Sequence, residues 1–518
     1  MSELLNIEQR LQTLEVNLAA VTAERDEYRK LLLHLREENE RLRRGLLGQK
    51  AERLPKNDAQ LSLAILEMAF GSQPAGAADD KRMIPAHERR RPTRKPLPAD
   101  LPRVTIEIKP PEVEREGLDA FVCIDKERRE VLERRPASSV VVELVYPKYV
   151  RKDRERTGAP VLMAEAAELP IPRGTAGPGM LSETIVRRWW DHQPLHRLEG
   201  IYGREGLDIA RSTICTWHEQ LAELARPLTT VMFADALTQR YLCVDATGVL
   251  VQAPEKCRNG HFWVLVAPER HVLYRYSRHH DKEAVDELLP GYKGYLVADA
   301  HTVYDHLYAA GAVEVGCWAH ARRYFYKAMA SDPERAKIAL THIGALFAIE
   351  RNMISSPRKK KREIRIEKSK PVVDGFFAWC DVEADRVLDE SPIFDGIRYA
   401  RNQRAALCRF LEDADLPIHN NISELNLRRQ VVGRRNWLFA GSDEGAKVNT
   451  VFVSLLASCR MHRLEPQAYL RDLLCLLPRW PKPRLLELAP VNWKQTLEQT
   501  ETQQALAANV FRRAVLGL

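Results

Sequence analysis

The chain has 518 residues, 45% of them hydrophobic, which exceeds one ordinary core and leads to an expectation of several domains. With 79 basic against 71 acidic side chains the formal charge is only +8, so a nucleic-acid surface must be a local patch; net charge alone does not identify one. Nine cysteines lie scattered without a Cys-x-x-Cys pair, and there is no signal peptide or membrane-length apolar run; these features argue against a disulfide framework, a Cys-rich zinc site and a membrane span, and favour a reduced, cytoplasmic protein.

Residues 4 to 46 carry apolar side chains at Leu4, Ile7, Leu11, Leu14, Leu18, Val21, Tyr28, Leu32, Leu35 and Leu42, with Arg25 and Asn39 in the polar gaps. Spacings that alternate three and four form a heptad seam, and Asn39 at an a-type position favours a dimer of one register. A coiled coil over 1–48 is therefore expected to make a homodimer or higher oligomer, although an amphipathic helix packed on its own chain has the same stripe. Residues 49–111 dissolve into Gly, Ala, Pro and charge, including Glu88-Arg-Arg-Arg-Pro-Thr-Arg-Lys-Pro96. This is read as a linker whose basic run either tracks a phosphate backbone or is simply solvated.

A β-rich module is expected over 112–180, around the apolar strand from Val140 to Tyr149. Residues 181–230 read as helices: Ser182–Trp190, then Leu195–Glu205 closing at Gly206, then an amphipathic helix with Ile214, Trp217 and Leu221, N-capped by Ser212. Helix, glycine turn and capped helix is the helix-turn-helix pattern, which would turn Arg211, Thr213, Thr216 and His218 towards DNA. An ordinary helical hairpin has the same pattern.

Between 231 and 465, the runs Tyr241–Val251, His261–Ala267 and Val272–Ser277 predict a three-strand meander. A helix over Asp281–Leu289 and a short buried strand, Gly294–Ala298, follow and end on Asp299. That order is ribonuclease H-like, with acids expected in the middle of the first strand and at the end of the fourth, where Asp245 and Asp299 stand. Val313–Gly316 reads as a fifth strand, and a helical insertion is expected over about 330–415. The expected fold class is multidomain α+β: coiled coil, small β-rich module, helix-turn-helix, ribonuclease H-like α/β catalytic core with a helical insertion, and a C-terminal helical region over 466–518.

Five blocks together resemble the bacterial insertion-sequence-sixty-six (TnpC-type) family of DDE transposases over nearly the whole chain. They are Asp245-Ala-Thr, Ala298-Asp299 before Tyr304-Asp305, Gly316-Cys-Trp-Ala-His-Ala-Arg-Arg323, Leu416-Pro-Ile-His-Asn-Asn-Ile-Ser-Glu424 and Gly433-Arg-Arg-Asn-Trp-Leu-Phe-Ala-Gly-Ser442. The resemblance implies that Glu424 joins Asp245 and Asp299 as the third catalytic acid. Carboxylates on adjacent strands repel one another unless a cation neutralises them, and hard oxygen ligands suit Mg²⁺ or Mn²⁺. Two ions, about 3.5–4 Å apart in such sites, are expected, with Asp245 bridging them. This chain departs from the family pattern at Ala246, where relatives usually show Glu, and at His419, where they show Asp.

The resemblance also implies a zinc module near 112–160, with paired cysteines flanking a Tyr-Pro-Lys-Tyr-like strand. Here Cys123 stands alone and Arg151-Lys-Asp-Arg154 replaces the second pair, so no zinc is expected. Relatives are usually encoded with two small accessory proteins, which are candidate partners beside DNA.

Asn420 and Asn421 are expected to cap a helix that presents Leu425, Leu427 and Val431 on its apolar face. Cys317 and His320 make half a zinc site and are read as orienting the active-site wall, with a functional role left open. Arg322 and Arg323 could meet scissile phosphates or pair with acids, and Pro357-Arg-Lys-Lys-Lys-Arg362 is the densest basic cluster. Arg428, Arg429, Arg434 and Arg435 surround the Glu424 helix; with Trp437 they would suit a distorted or flipped-out DNA end, although Trp437 also reads as core. Helices over Asp443–His462 and Pro466–Leu477 are expected to pack on the sheet, and the tail after Pro490 to form a peripheral helix. The function expected is DNA transposition: binding of element ends, metal-dependent cleavage and strand transfer. The alternatives are a catalytically decayed DNA-binding regulator and a nuclease without strand transfer.

Overall fold

The computed structural model describes residues 97–99, 101–135, 138–152 and 161–516, together with Leu18, Val21 and Arg25. The expected coiled coil lies outside the described residues except for Leu18, Val21 and Arg25, which are helical and exposed; the expected linker is described only at 97–99 and 101–111, where Arg103–Glu107 is a paired strand and not linker. Two compact units are present, one comprising 96–320, 353–370 and 403–518, the other containing 321–352 and 371–402.

In the larger unit, β1 (Arg103–Glu107), β2 (Phe121–Arg135) and β3 (Ser138–Arg151) form a sheet in the order β1-β3-β2, with β1 parallel and β2 antiparallel to β3. As the central strand, β3 is buried along most of its length, which explains its nearly continuous Val140–Val145 apolar run. The module expected around this strand is not held by it alone. Val131, Val140, Val142, Leu144 and Tyr146 share a core with Ala164 and Leu169 and, from the far end of the chain, with Phe511 and Ala514. The C-terminal tail is therefore structural and not peripheral. In its last helix (Val510–Leu516), Phe511, Ala514 and Val515 recur at helical spacing and bury one face.

Three helices follow: α1 (Pro178–Ile185), continued by a π-helical turn to Trp190, then α2 (Leu195–Arg204) and α3 (Arg211–Leu237). Gly206, at φ +79°, supplies the left-handed step between α2 and α3. Ser212 is not the N-cap. The N-cap position is Ala210, two residues earlier, and the backbone N–H of Arg211 donates to the Glu199 carboxylate at 3.1 Å, so a side chain from α2 satisfies this end. Arg211, Thr213 and Thr216 are exposed, but His218 is buried and does not face solvent. Its Nε2 lies 3.1 Å from Thr184 Oγ1, and its ring packs between Trp189 and Phe452. The cause is helical spacing: His218 stands four residues after Ile214 and three before Leu221, on the same buried face of α3.

The second sheet contains β4 (Tyr241–Val251), β5 (Arg258–Ala267), β6 (His271–Ser277), β7 (Tyr295–Val297) and β8 (Val313–Val315), in the order β6-β5-β4-β7-β8. The first three strands form an antiparallel meander, and β7 and β8 run parallel to β4. Before β7, α4 (Lys282–Leu288) is capped by Asp281, which accepts from Ala284 N at 3.0 Å. The smaller unit holds the end of α5 (Trp318–Ala328), α6 (Pro333–Asn352), nearly all of α7 (Lys370–Glu383), and α8 (Pro392–Asn402). Its centre is aromatic: Phe325 meets Phe376 and Trp379 with ring centroids 5.7 and 6.1 Å apart.

The larger unit continues with α9 (Asn421–Trp437), α10 (Asp443–Met461) and α11 (Pro466–Leu476). An edge strand leaves a row of backbone N–H groups unpaired, and α10 answers two of those on β6 with hydroxyls. Val272 N donates to Ser458 Oγ at 3.0 Å and Tyr274 N to Ser454 Oγ at 2.8 Å. That closes the edge of the sheet without another strand.

Candidate active site

The two aspartates lie just past the paired segment of β4 and β7. Parallel pairing sets Cys243 opposite Val297, where β7 ends; Asp245 stands two residues further on within β4, and Asp299 two residues beyond the end of β7. Both are partly exposed, and Asp245 Oδ1 accepts from Ala246 N at 2.8 Å. Tyr304 is fully buried beside them. Burial, then the Asp299 and Asp245 carboxylates, push its phenol well above its ordinary pKa, so it stays protonated between two acids.

Glu424 arrives on the first turn of α9. The start of α9 is pinned by the segment before it: Trp318 N donates to Ile418 O at 2.9 Å, and Asn420 N to Cys317 Sγ at 3.2 Å. The Asn420 side chain makes no helix cap; its Nδ2 donates to Val244 O at 2.8 Å and ties α9 to the residue preceding Asp245. His320 Nε2 lies 3.7 Å from Glu424 Oε1. Burial raises the pKa of the Cys317 thiol, so this side chain is a neutral acceptor in the wall behind Glu424. Asn421 is exposed, and its backbone N–H donates to His419 Nδ1 at 3.4 Å.

Three carboxylates are hard oxygen donors and fit a Mg²⁺ or Mn²⁺ ion in kind. They are not closed into a cage: among the described residues no three His, Cys, Asp or Glu side chains are grouped to hold a metal ion.

Sequence reasoning passed over a group of histidines beside Asp299. His280 stacks on buried Trp263 with centroids 4.6 Å apart, and His301 meets the same imidazole edge-on at 4.7 Å. His261 lies 5.3 Å from it. Burial lowers the pKa of both His280 and His261, leaving them neutral near pH 7. The one signal was local: His279-His280 follows β6, and His301 stands two residues after Asp299.

The basic residues are divided among different settings. Arg434 donates to Thr247 Oγ1 at 3.1 Å and to the Gly248 carbonyl, which fastens α9 along β4. Arg428 and Arg435 are exposed, whereas Arg429 lies 4.1 Å over the Trp190 ring. Arg322 and Arg323 belong to the smaller unit, where the Arg322 guanidinium sits 5.9 Å from the Tyr326 ring. In the Pro357–Arg362 cluster, Arg358 pairs with Asp413 and Asp415 at 3.1 and 3.2 Å. Trp437 is half-buried and packs against Val249, Val251, Phe262 and Tyr276.

A mixed sheet with one acid within β4, a second just past the end of β7, and a third on a helix tied to β4 defines a candidate acid-cluster protein. The family model described as Transposase IS66 family matches residues 173–448, and the chain belongs to that family. Two further models flank it: one described as Transposase C of IS166 homeodomain at 34–106, overlapping the heptad seam and the linker, and the IS66 C-terminal element at 454–491. Similar proteins from Sinorhizobium fredii (strain NBRC 101917 / NGR234) are named uncharacterized proteins y4hP and y4qI. The first is 29% identical, covering 89% of each chain, and the second 30%, covering 88% of this chain and 87% of the relative. Family membership supports a transposase role. Among the described residues no helix is long and apolar enough to cross a membrane.

Proposed function

We propose that this chain is a bacterial DNA transposase that binds the ends of its element, cleaves them in a metal-dependent reaction and joins the freed ends to target DNA. The observation that carries the reading is the tie from Asn420, at the start of the Glu424 helix, to Val244, the residue before Asp245, with Asp299 just beyond the end of the neighbouring strand β7. The meander followed by two parallel strands, with α4 crossing between them, supports a ribonuclease H-like core. Asp245, Asp299 and Glu424 would hold Mg²⁺ or Mn²⁺, which supplies charge stabilisation at the scissile phosphate. The partly exposed acids leave room for a DNA strand, and buried Tyr304 holds its proton between the two aspartates. In cleavage a water oxygen bonds to phosphorus, the bond to the 3′ oxygen breaks, and that oxygen leaves as a hydroxyl. In joining, the oxygen of the same hydroxyl bonds to a target phosphorus, the target's own bond from phosphorus to its 3′ oxygen breaks, and that oxygen leaves as a hydroxyl.

Binding is assigned to the exposed Arg211, Thr213 and Thr216 of α3, with Arg428 and Arg435 on α9. Assembly through the N-terminal heptad seam, a cytoplasmic location and help from two small accessory proteins complete the proposal. The test is an assay with labelled element ends, read from the DNA flanking the gene, together with Mg²⁺ and target DNA. Cleavage followed by joining supports the proposal. Cleavage without joining would reassign the protein as a nuclease, and binding alone as a regulator.

A further inference from the structure

A cavity of about 640 Å³ opens between the π-helical turn after α1, the start of α3 and the chain just beyond α9. It is lined by two indoles, Trp189 and Trp437, with Arg188 beside them. The Arg188 guanidinium lies 4.5 Å from the centroid of Trp189 and 5.6 Å from that of Trp437. Two donors in this wall, Arg188 Nε and Trp189 Nε1, are buried and have no hydrogen-bond partner among the described residues. Buried donors are seldom left unmade, so a cation and an indole N–H in one cavity suit a ligand with acceptors on its edge. The aromatic walls suit one that is planar. Burial lowers the pKa of Arg188 only to about 10, so the group remains a cation at neutral pH.

At the mouth, Leu438 and Phe439 are 53% and 39% exposed, and Leu438 is held at φ +63°, a left-handed conformation unfavourable for a residue with a Cβ. Apolar side chains displayed in this way wedge between base steps in proteins that distort DNA. The cavity also borders the exposed face of α3 at Cys215, and Trp437 is the last residue of α9, the helix whose first turn carries Glu424.

We propose that this cavity receives one unpaired nucleobase of the DNA being processed, stacked against the indoles with Arg188 on its acceptor edge, while Leu438 and Phe439 fill the gap left in the stack. The proposal rests on the DNA-processing reading above. A base in a duplex cannot reach such a slot without leaving the stack, so the cavity selects DNA in which unpairing is easy.

The probes are a short duplex with one unpaired guanine and the same duplex fully paired, each added to the full chain. Gel shift should show roughly tenfold tighter binding to the unpaired-guanine duplex, the scale of one base–aromatic stack. Alkylation of Cys215 by iodoacetamide, read by mass spectrometry, should slow further with that duplex than with the paired one, which covers only the outer face of α3. Exposed Cys123, on β2, is the internal control. Arg188→Gln should remove the preference and leave affinity for the paired duplex unchanged. Equal binding and equal Cys215 protection by both duplexes would overturn the pocket and leave the DNA-processing reading intact. Failure to bind either duplex would overturn both.

Discussion

The side-chain amide of Asn420 donates to the carbonyl of Val244 at 2.8 Å, joining the start of the helix that bears Glu424 to the strand that bears Asp245. Asn420 is fully buried, so the bond is shielded from water and fixes how α9 meets β4. Asn420→Ala removes the donor and is expected to cost about 1–3 kcal/mol of stability, the usual effect of leaving a buried partner unsatisfied. It should also slow end cleavage more than it weakens DNA binding. A variant with wild-type melting temperature and cleavage rate would show that this bond positions nothing.

Gly433 lies in the middle of α9, where alanine would ordinarily improve a helix by about 1 kcal/mol. Here a Cβ would come within 2.8 Å of Trp437 Nε1 and 3.2 Å of His192 Nδ1. Overpacking of that kind costs about 1–3 kcal/mol, so the clash should win and Gly433→Ala should melt earlier than wild type. A higher melting temperature would mean that the indole moves aside freely.

Much of the sheet was legible because its strands are β-branched runs between breaks. The reading of β4 as Tyr241–Val251 matches the structure residue for residue. Features that depend on distant partners were not legible. Ser212 and Asn420 both carry capping chemistry, yet Glu199 satisfies the start of α3, and Asn420 spends its amide on Val244. His218 is the opposite case: its spacing from Ile214 and Leu221 already puts it on the apolar face of α3, where Thr184, Trp189 and Phe452 enclose it. Phe511 reaches its place in the first sheet's core from hundreds of residues away, and no local pattern records that. At the site, the position of Asp245 within β4 followed from periodicity, whereas the fourth strand stops at Val297, two residues short of Asp299. The stacking of His280 on Trp263 did not follow from it, since loop histidines have no period.

Glu133 is a buried carboxyl at the start of α1, accepting from Arg134 N at 2.8 Å and Met180 N at 2.6 Å. Burial raises its pKa to about 8. In the unfolded chain it ionises near the ordinary carboxylate value, so between that value and about pH 8 the folded state binds more protons than the unfolded one. Stability should therefore fall as pH rises through this window and level off above it. The melting temperature of wild type should drop from pH 5 to pH 8, and Glu133→Gln, which cannot ionise, should flatten that part of the profile. Parallel profiles for the two proteins would remove Glu133 as the cause.

The heptad seam over residues 4 to 46 predicts assembly, and its members Leu18 and Val21 are 68% and 61% exposed. Deleting residues 1 to 50 should lower the mass found by sedimentation to that of a single chain. An unchanged state at equal concentration would assign assembly to another surface.

The remaining prediction concerns Asp245, Asp299 and Glu424 as one unit. If they hold the same ions, removing any one should abolish end cleavage to a similar extent, because residues acting together are strongly non-additive. Double variants should be no worse than singles. Asn or Gln keeps the shape of each side chain and reduces the negative charge offered to a hard cation, while leaving no cavity. DNA affinity should persist in every variant, since removing an acid weakens no phosphate contact. End cleavage in Mg²⁺ or Mn²⁺ is measured beside gel-shift affinity for the same DNA. A Glu424→Gln protein that cleaves at the wild-type rate would sink the third acid, and Asp305 or Glu314 would take its place. Glu314 is the stronger of the two by position: it lies on β8, with its own carboxyl raised by burial.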